Sequence, residues 1–151
     1  MSREELKINS EEEPRPRVLV MLTGLYLFLL IISAGSYGQP IAFFGRIIEG
    51  TGAKLFIAAN TLVCLHLFIG LWQRQLLTWY LLLGYNMYEI LNTLVSLAIL
   101  PRQELERVQG APIDQTSLVV NNLATVAAII FVSSLIYRNR LLFFNRSPYL
   151  F

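Results

Sequence analysis

The stretch 76–100, LLTWYLLLGYNMYEILNTLVSLAIL, decides the fold, because it is long and apolar and carries a single formal charge. It has 25 residues. An α-helix needs about 20 mainly apolar residues to cross the hydrocarbon core of a bilayer. Within lipid the backbone must satisfy its own hydrogen bonds, so such a stretch is expected to be helical. The single charge, Glu89, lies near the centre of this span.

Three further stretches of the same kind surround it, at 18–36, 55–72 and 117–137. The four stretches together contain 83 residues, and Glu89 is their only acidic or basic residue, so 21 of the 22 charges lie outside them. A soluble all-α protein is disfavoured, since four such helices in 151 residues could not cover one another. The sequence therefore predicts an all-α integral membrane protein, a bundle of four transmembrane helices with up-down topology.

Polar segments flank this predicted transmembrane domain, which covers residues 18–137. Residues 1–17 hold five acidic and four basic residues and two prolines, which is typical of a disordered tail. The first span resembles a signal peptide, but its apolar core exceeds the usual length of about 7–15 residues, so we expect an uncleaved helix. Residues 138–151 mix arginines with aromatic side chains, which is typical of an interfacial anchor.

The connections differ in length and composition. The segment 41–48 is too short to cross, and we expect it at the interface or on the outer rim of the bundle. A glycine-rich turn is predicted at 49–54. Only three residues, 73–75, join spans two and three, which predicts a tight antiparallel hairpin. The longest polar loop, 101–116, begins with residues that could form a short surface helix.

The distribution of basic residues predicts the orientation. Four spans place both termini and the loop 73–75 on one side, where eight Lys and Arg residues lie against four on the other side. Cytoplasmic loops are enriched in Lys and Arg, so we expect a multi-pass protein of the cell inner membrane with the N- and C-termini cytoplasmic.

A layer of polar side chains is predicted at mid-bilayer. On a helical wheel Asn86 and Asn92 lie within one polar stripe centred on Glu89, and that face should point into the bundle. At about 1.5 Å per residue, side chains from the other three spans reach the same depth. The predicted layer thus comprises Ser33, Asn60, Asn86, Glu89, Asn92, Asn122 and Thr125.

Glu89 has two interpretations. A carboxyl group in an apolar interior resists ionisation and could exchange a proton, which would make Glu89 a proton or cation site of a small transporter or channel subunit. The simpler interpretation is structural: Glu89 hydrogen-bonds Asn60 or Asn122 and holds the helices together. The structural interpretation is preferred, because no second intramembrane charge is present to form a relay.

The single histidine, His66, lies within the second span. A membrane histidine can ligate a haem or a chlorophyll-type pigment through one ring nitrogen, but more often it bonds a neighbouring helix. Haem or pigment binding through His66 therefore remains an alternative, and no cofactor is otherwise expected. The single cysteine, Cys64, should behave as a small buried hydrophobic residue.

Composition excludes several functional classes. One Cys and one His cannot build a disulfide framework or a zinc cluster within one chain, and no metal site is expected. A net charge of +2, without a stripe of basic residues along one face, does not indicate nucleic-acid binding. No catalytic constellation is apparent, so an enzyme is not expected. The preferred function is accessory or structural, in assembly with another membrane protein or with itself in the lipid bilayer.

Overall fold

A computed structural model describes residues 15–110 and 112–146 and is mostly helical. The tail prediction for residues 1–14 and the end of the predicted C-terminal anchor, 147–151, lie outside the described residues. In chain order the elements are α1 (Arg17–Gly35), β1 (Ile41–Phe43), β2 (Arg46–Ile48), α2 (Gly50–Trp72), α3 (Leu76–Ile99), α4 (Arg102–Gln109), α5 (Gln115–Arg138) and a short 3₁₀ helix (Arg140–Leu142).

Three of these helices, α1, α2 and α5, are long and apolar enough to cross a membrane, which indicates a membrane protein. Helix α3 is equally long, with 24 residues. It is less apolar, because Asn86, Glu89 and Asn92 lie within it. Many large apolar side chains face outward from the helices, among them Phe28 on α1 and Phe131 on α5. A lipid environment accounts for such a surface, which water would not stabilise.

The long helices pack mainly in pairs, α1 against α2 and α3 against α5. Side chains from all four meet in one apolar cluster, which includes Leu22, Leu67, Leu82 and Ile136. The α2–α3 pair is joined by only three residues, as the sequence predicts, and the two helices approach closely beside the turn. A Cβ atom at Gly70 would overlap the side chain of Thr78, so only glycine permits this approach.

The segment between α1 and α2 departs from the all-α prediction, and the turn predicted at 49–54 is wrong. Residues 41–48 form an antiparallel β-hairpin, so the described chain is not entirely α-helical. Isoleucine and phenylalanine favour strands, and the turn residues Phe44 and Gly45 adopt positive φ angles of 43° and 77°, which suits a two-residue hairpin turn. The predicted turn at 49–54 is instead the start of α2, since the first helical turn requires no internal N–H partners.

The remaining boundaries differ slightly from the predicted spans. Helix α1 begins one residue before the predicted span 18–36 and ends one residue before its end, and α5 extends beyond 117–137 at both ends. The short helix expected at the start of the loop 101–116 is present as α4. Gly110, in the left-handed conformation at φ 67°, ends α4.

The two ends of the molecule are built differently. At one end, which we call the hairpin end, the β-hairpin and α4 come together, and the Arg107 guanidinium contacts the Glu49 carboxylate at 2.8 Å. At the other, the terminal end, the segment after α5 folds across the α2–α3 turn. There the Leu76 N–H donates to the Asn145 carbonyl at 2.8 Å, and Phe143 is buried in the apolar cluster. Part of the predicted interfacial anchor therefore closes the bundle.

Candidate functional site

A polar cavity lies among the long helices and forms the candidate site. Its volume is about 370 Å³, and its thirteen lining residues comprise six apolar ones and seven with a polar side-chain group. Cavities of this size and character are typical of ligand sites in proteins. Five of the seven residues predicted for the polar layer line it: Ser33, Asn60, Asn86, Glu89 and Thr125.

A first chain of hydrogen bonds links α1, α2 and α3 beside this cavity. The Asn60 amide donates to the Ser33 hydroxyl at 3.1 Å, and the Ser33 and Thr61 hydroxyls are 2.9 Å apart. On the other side of Asn60, the Tyr85 hydroxyl donates to its amide oxygen at 3.2 Å. The Thr61 hydroxyl also donates to the Ile57 carbonyl of its own helix, which fixes its rotamer.

A second chain links α1, α3 and α5 and is more deeply buried. The Tyr26 hydroxyl donates to the Asn86 amide oxygen at 2.7 Å, and the Asn86 amide nitrogen donates to the Ser133 hydroxyl at 3.0 Å. Ser133 in turn donates to the Ile129 carbonyl at 2.7 Å. Asn86 therefore uses both its donor and its acceptor to hold two neighbouring helices, which is how polar side chains stabilise membrane proteins.

Glu89 lies half-buried on the cavity wall, one helical turn beyond Tyr85. The Tyr85 hydroxyl, which donates to Asn60, is a neighbour of its carboxyl group. The three ion pairs found among the described residues all lie at the hairpin end, and none involves Glu89. Within residues 15–110 and 112–146 no group of three or more His, Cys, Asp and Glu side chains could hold a metal ion.

Two predicted layer residues lie elsewhere. Asn92 holds the β-hairpin: its amide oxygen accepts from the Phe44 N–H at 2.8 Å, and its amide nitrogen donates to the Ala42 carbonyl at 3.4 Å. Asn122 donates to the Leu118 carbonyl of its own helix and lines a separate, smaller cavity. Five of the seven side chains thus line one cavity, whereas the rotation of α5 and the hairpin between α1 and α2, which spacing does not define, place Asn122 and Asn92 elsewhere.

His66 lines a different, mainly apolar groove between α2 and α3, opposite Gly84. Its Nε2 atom is covered by protein and has no hydrogen-bond partner among the described residues. A haem iron or pigment metal could not reach Nε2 in this position, so the arrangement does not fit such a group as it stands. Cys64 is buried, with its sulfur 3.6 Å from the Tyr85 hydroxyl.

Sequence reasoning missed two members of the hydrogen-bonded chains, Tyr26 and Thr61. Tyr26 is the only hydroxyl-bearing aromatic residue in a first span of mostly aliphatic side chains, and that isolation was an available signal. Thr61 directly follows Asn60, but threonine is common in apolar helices because its hydroxyl can bond to the preceding turn.

Comparison of the chain with protein-family models, with curated proteins and with solved structures gives no significant match.

Proposed function

We propose that this protein is a multi-pass inner-membrane protein with four spans and cytoplasmic termini, and that its function is structural assembly with another membrane helix. Helix α3 is the fourth span in this proposal. Its polar side chains contact other helices or the β-hairpin, so the surface it presents to lipid is more apolar than its composition suggests. The predominance of basic residues at the terminal end supports the orientation.

The observation that carries the assembly role is the outer face of α5. Asn121, Ala124 and Ala128 lie on one side of this helix and are all exposed. The Asn121 amide has no hydrogen-bond partner within the described part of the chain, and the two alanines are four residues apart. Small residues at that spacing let membrane helices approach closely, and an amide facing lipid gains free energy when a second helix pairs with it.

A second copy of this chain is the partner that this face fits best. An asparagine amide both donates and accepts, so Asn121 can pair with Asn121 of another copy across a two-fold axis. Asn121 lies about 9 Å along α5 from its first residue, a depth at which water competes weakly for the amide.

Self-association of the full chain in lipid nanodiscs or dilute vesicles tests this proposal. Asn121→Leu should weaken the dimer by about 3- to 30-fold, since interhelical polar contacts contribute about 0.6–2 kcal/mol in membranes. Asn122→Leu is the matched control, because Asn122 is bonded to its own helix and lies off this face. A chain that is monomeric at all protein-to-lipid ratios, or equal effects of the two variants, would contradict a dimer through α5. Recovery of a stoichiometric different protein would assign the face to that partner.

A proton-linked transporter or channel subunit is the second candidate, and the cavity beside Glu89 is what supports it. The carboxyl group has a hydroxyl neighbour and no cationic partner among the described residues, so it is available to take up and release a proton. Proton flux in vesicles that hold the purified protein tests this candidate. Loss of flux in Glu89→Gln with retained folding supports it, whereas absent flux, or flux unchanged by the substitution, removes it.

Haem or pigment binding through His66 is the third and weakest candidate, because the Nε2 atom is covered. A visible absorption spectrum of the purified protein decides it: a tetrapyrrole band that His66→Leu abolishes would support this function, and a colourless protein would remove it.

A further inference from the structure

The two ends of the molecule differ in the side chains that contact their arginines. At the hairpin end, Arg102 and Arg107 pair with Glu49, Glu104 and Glu106 at 2.6–3.1 Å. At the terminal end none of the six described arginines has a carboxylate partner among the described residues, and three of them lie over aromatic rings: Arg15 over Trp72, Arg74 over Phe144 and Arg140 over Trp79. Among the described residues, the terminal end therefore carries positive charge that no carboxylate pairs with, at the level where the helices leave the membrane.

One of these arginines stands at the mouth of an apolar groove. The groove lies between α1 and α2, has a volume of about 400 Å³, and is lined by Leu19, Val20, Leu27, Phe68 and Trp72. Gly24 also lines it, and a Cβ atom added there would meet no neighbouring atom within 4 Å, so the missing side chain keeps the groove open. The Arg15 guanidinium lies 3.8 Å from the centre of the Trp72 ring.

The shape and charge of this groove match one kind of ligand. From Arg17 to Leu27, α1 rises about 15 Å, which is the depth of one leaflet of the hydrocarbon core. The groove thus fits an acyl chain, and the guanidinium at its mouth fits a phosphate group, which arginine binds through its planar fork. Trp72 belongs to the aromatic side chains that favour the membrane–water interface.

We propose that the α1–α2 groove is a binding site for an anionic phospholipid, with the headgroup phosphate at Arg15 and an acyl chain along Gly24. Arg17 adds a second positive charge two residues away. The site is independent of the proposed assembly face, because α5 contributes no residue to this groove.

Quenching of tryptophan fluorescence by lipids brominated on the acyl chain measures occupancy of this groove. The chain has two tryptophans, and Trp72 is exposed whereas Trp79 is buried. The full-length protein is placed in nanodiscs of phosphatidylcholine that contain equal fractions of brominated phosphatidylglycerol or brominated phosphatidylcholine. The Trp72→Phe variant supplies the background from Trp79. All variants retain the three glutamates at 11–13, so any competition of these carboxylates with the lipid phosphate for Arg15 is the same in every variant.

The expected result is stronger quenching by phosphatidylglycerol than by phosphatidylcholine. Arg15→Gln should reduce this preference about fivefold, since each basic residue near an anionic surface contributes on the order of 1 kcal/mol. Gly24→Leu should reduce it by filling the groove. Two control variants should leave the preference for phosphatidylglycerol unchanged. Gly84→Leu fills open space beside a glycine that lines another groove, and Arg102→Gln removes an arginine at the hairpin end.

Three outcomes would overturn the proposal. Equal quenching by the two lipids would show that the groove does not select an anionic headgroup. A preference that survives either Arg15→Gln or Gly24→Leu would place the lipid elsewhere. Loss of the preference on addition of inorganic phosphate would show that Arg15 binds free phosphate and not a lipid headgroup.

Discussion

At the scale of single residues, several polar side chains of the long helices hydrogen-bond to one another across helix boundaries. Asn86 shows this most clearly, because it accepts from Tyr26 on α1 and donates to Ser133 on α5. Asn60 has the same role between α1 and α3. Each amide supplies both a donor and an acceptor, so a single residue can connect three helices.

Removal of the Tyr26 hydroxyl tests the energetic value of this arrangement. Tyr26→Phe should lower the free energy of unfolding in micelles or bicelles by about 0.6–2 kcal/mol, because Asn86 loses its donor from α1 while the ring still fills its place. Tyr37→Phe is the matched control, since Tyr37 is exposed and its hydroxyl has no hydrogen bond to the described residues. Equal stability of the two variants would contradict a structural role for the Tyr26 contact.

The sequence indicated this layer only in part. A period of 3.6 residues places Asn86 and Glu89 on one face of α3, and a rise of about 1.5 Å per residue places Asn60 and Ser33 at the same depth. Partner choice within the layer depends on helix rotation, which spacing does not define. For that reason spacing alone predicts Asn122 within the layer, although its amide bonds its own helix.

At the scale of elements, close packing at a few glycines fixes how the helices meet. The α2–α3 hairpin depends on Gly70, whose missing side chain makes room for the fully buried Thr78. The absence of a side chain also permits a close approach at Gly45 of the β-hairpin, where a Cβ atom would lie 2.7 Å from the Ile99 Cβ. The short connection 73–75 predicted the tight α2–α3 turn, but the spacing of apolar residues did not predict the strands at 41–48, whose turn residues Phe44 and Gly45 donate their N–H groups to Asn92 and Ser96 of α3.

Enlargement of Gly70 tests the importance of this close approach. Gly70→Ala should lower the free energy of unfolding by about 1–3 kcal/mol, because the added methyl group forces α2 and α3 apart. Gly84→Ala should be neutral or stabilising, since the space beside Gly84 is open and alanine favours helix. Thermal unfolding in one detergent compares the two directly, and a Gly70→Ala variant as stable as Gly84→Ala would contradict the packing.

The connection between α4 and α5 should be sensitive to acid. The Glu106 carboxylate accepts from the Ile113 N–H and from Arg102, and these bonds hold the pKa of Glu106 below its usual range. Asp114 accepts from the Ser117 N–H at 2.7 Å, and this hydrogen bond likewise lowers the pKa of Asp114. A carboxyl group with a lowered folded-state pKa stabilises the fold above its unfolded-state pKa and ceases to do so as pH falls through the folded-state value.

We therefore expect order in this connection at neutral pH, a decrease in its stability that starts below about pH 4, where carboxyls of the unfolded state become protonated, and its loss as pH falls further through the lowered folded-state pKa values. The order of this connection is measured by the protection of the Ser117 and Ile113 amides from hydrogen exchange, after correction for the pH dependence of the intrinsic exchange rate. Asp114→Asn should remove the pH-dependent change in protection at Ser117. The pH-dependent change at Ile113 should remain. Protection that is independent of pH in the unsubstituted protein would contradict the assignment of these caps.

At the scale of the whole molecule, the account depends on whether α3 crosses the membrane. Three other helices are long and apolar enough to do so by composition alone. Helix α3 carries the polar stripe, and its contacts with α1, α2 and α5 turn that stripe inward. If α3 spans, the loop 73–75 and the helix α4 lie on opposite sides of the bilayer, and both termini share one side.

Accessibility of single cysteines on either side of α3 tests this claim most directly. In a Cys64→Ala background, Arg74→Cys and Gln103→Cys are treated with a membrane-impermeant maleimide in intact cells and again after permeabilisation. The account predicts labelling at position 103 in intact cells and labelling at position 74 only after permeabilisation. In intact cells, labelling of both positions, or of neither, would show that α3 does not cross and would contradict the four-span topology.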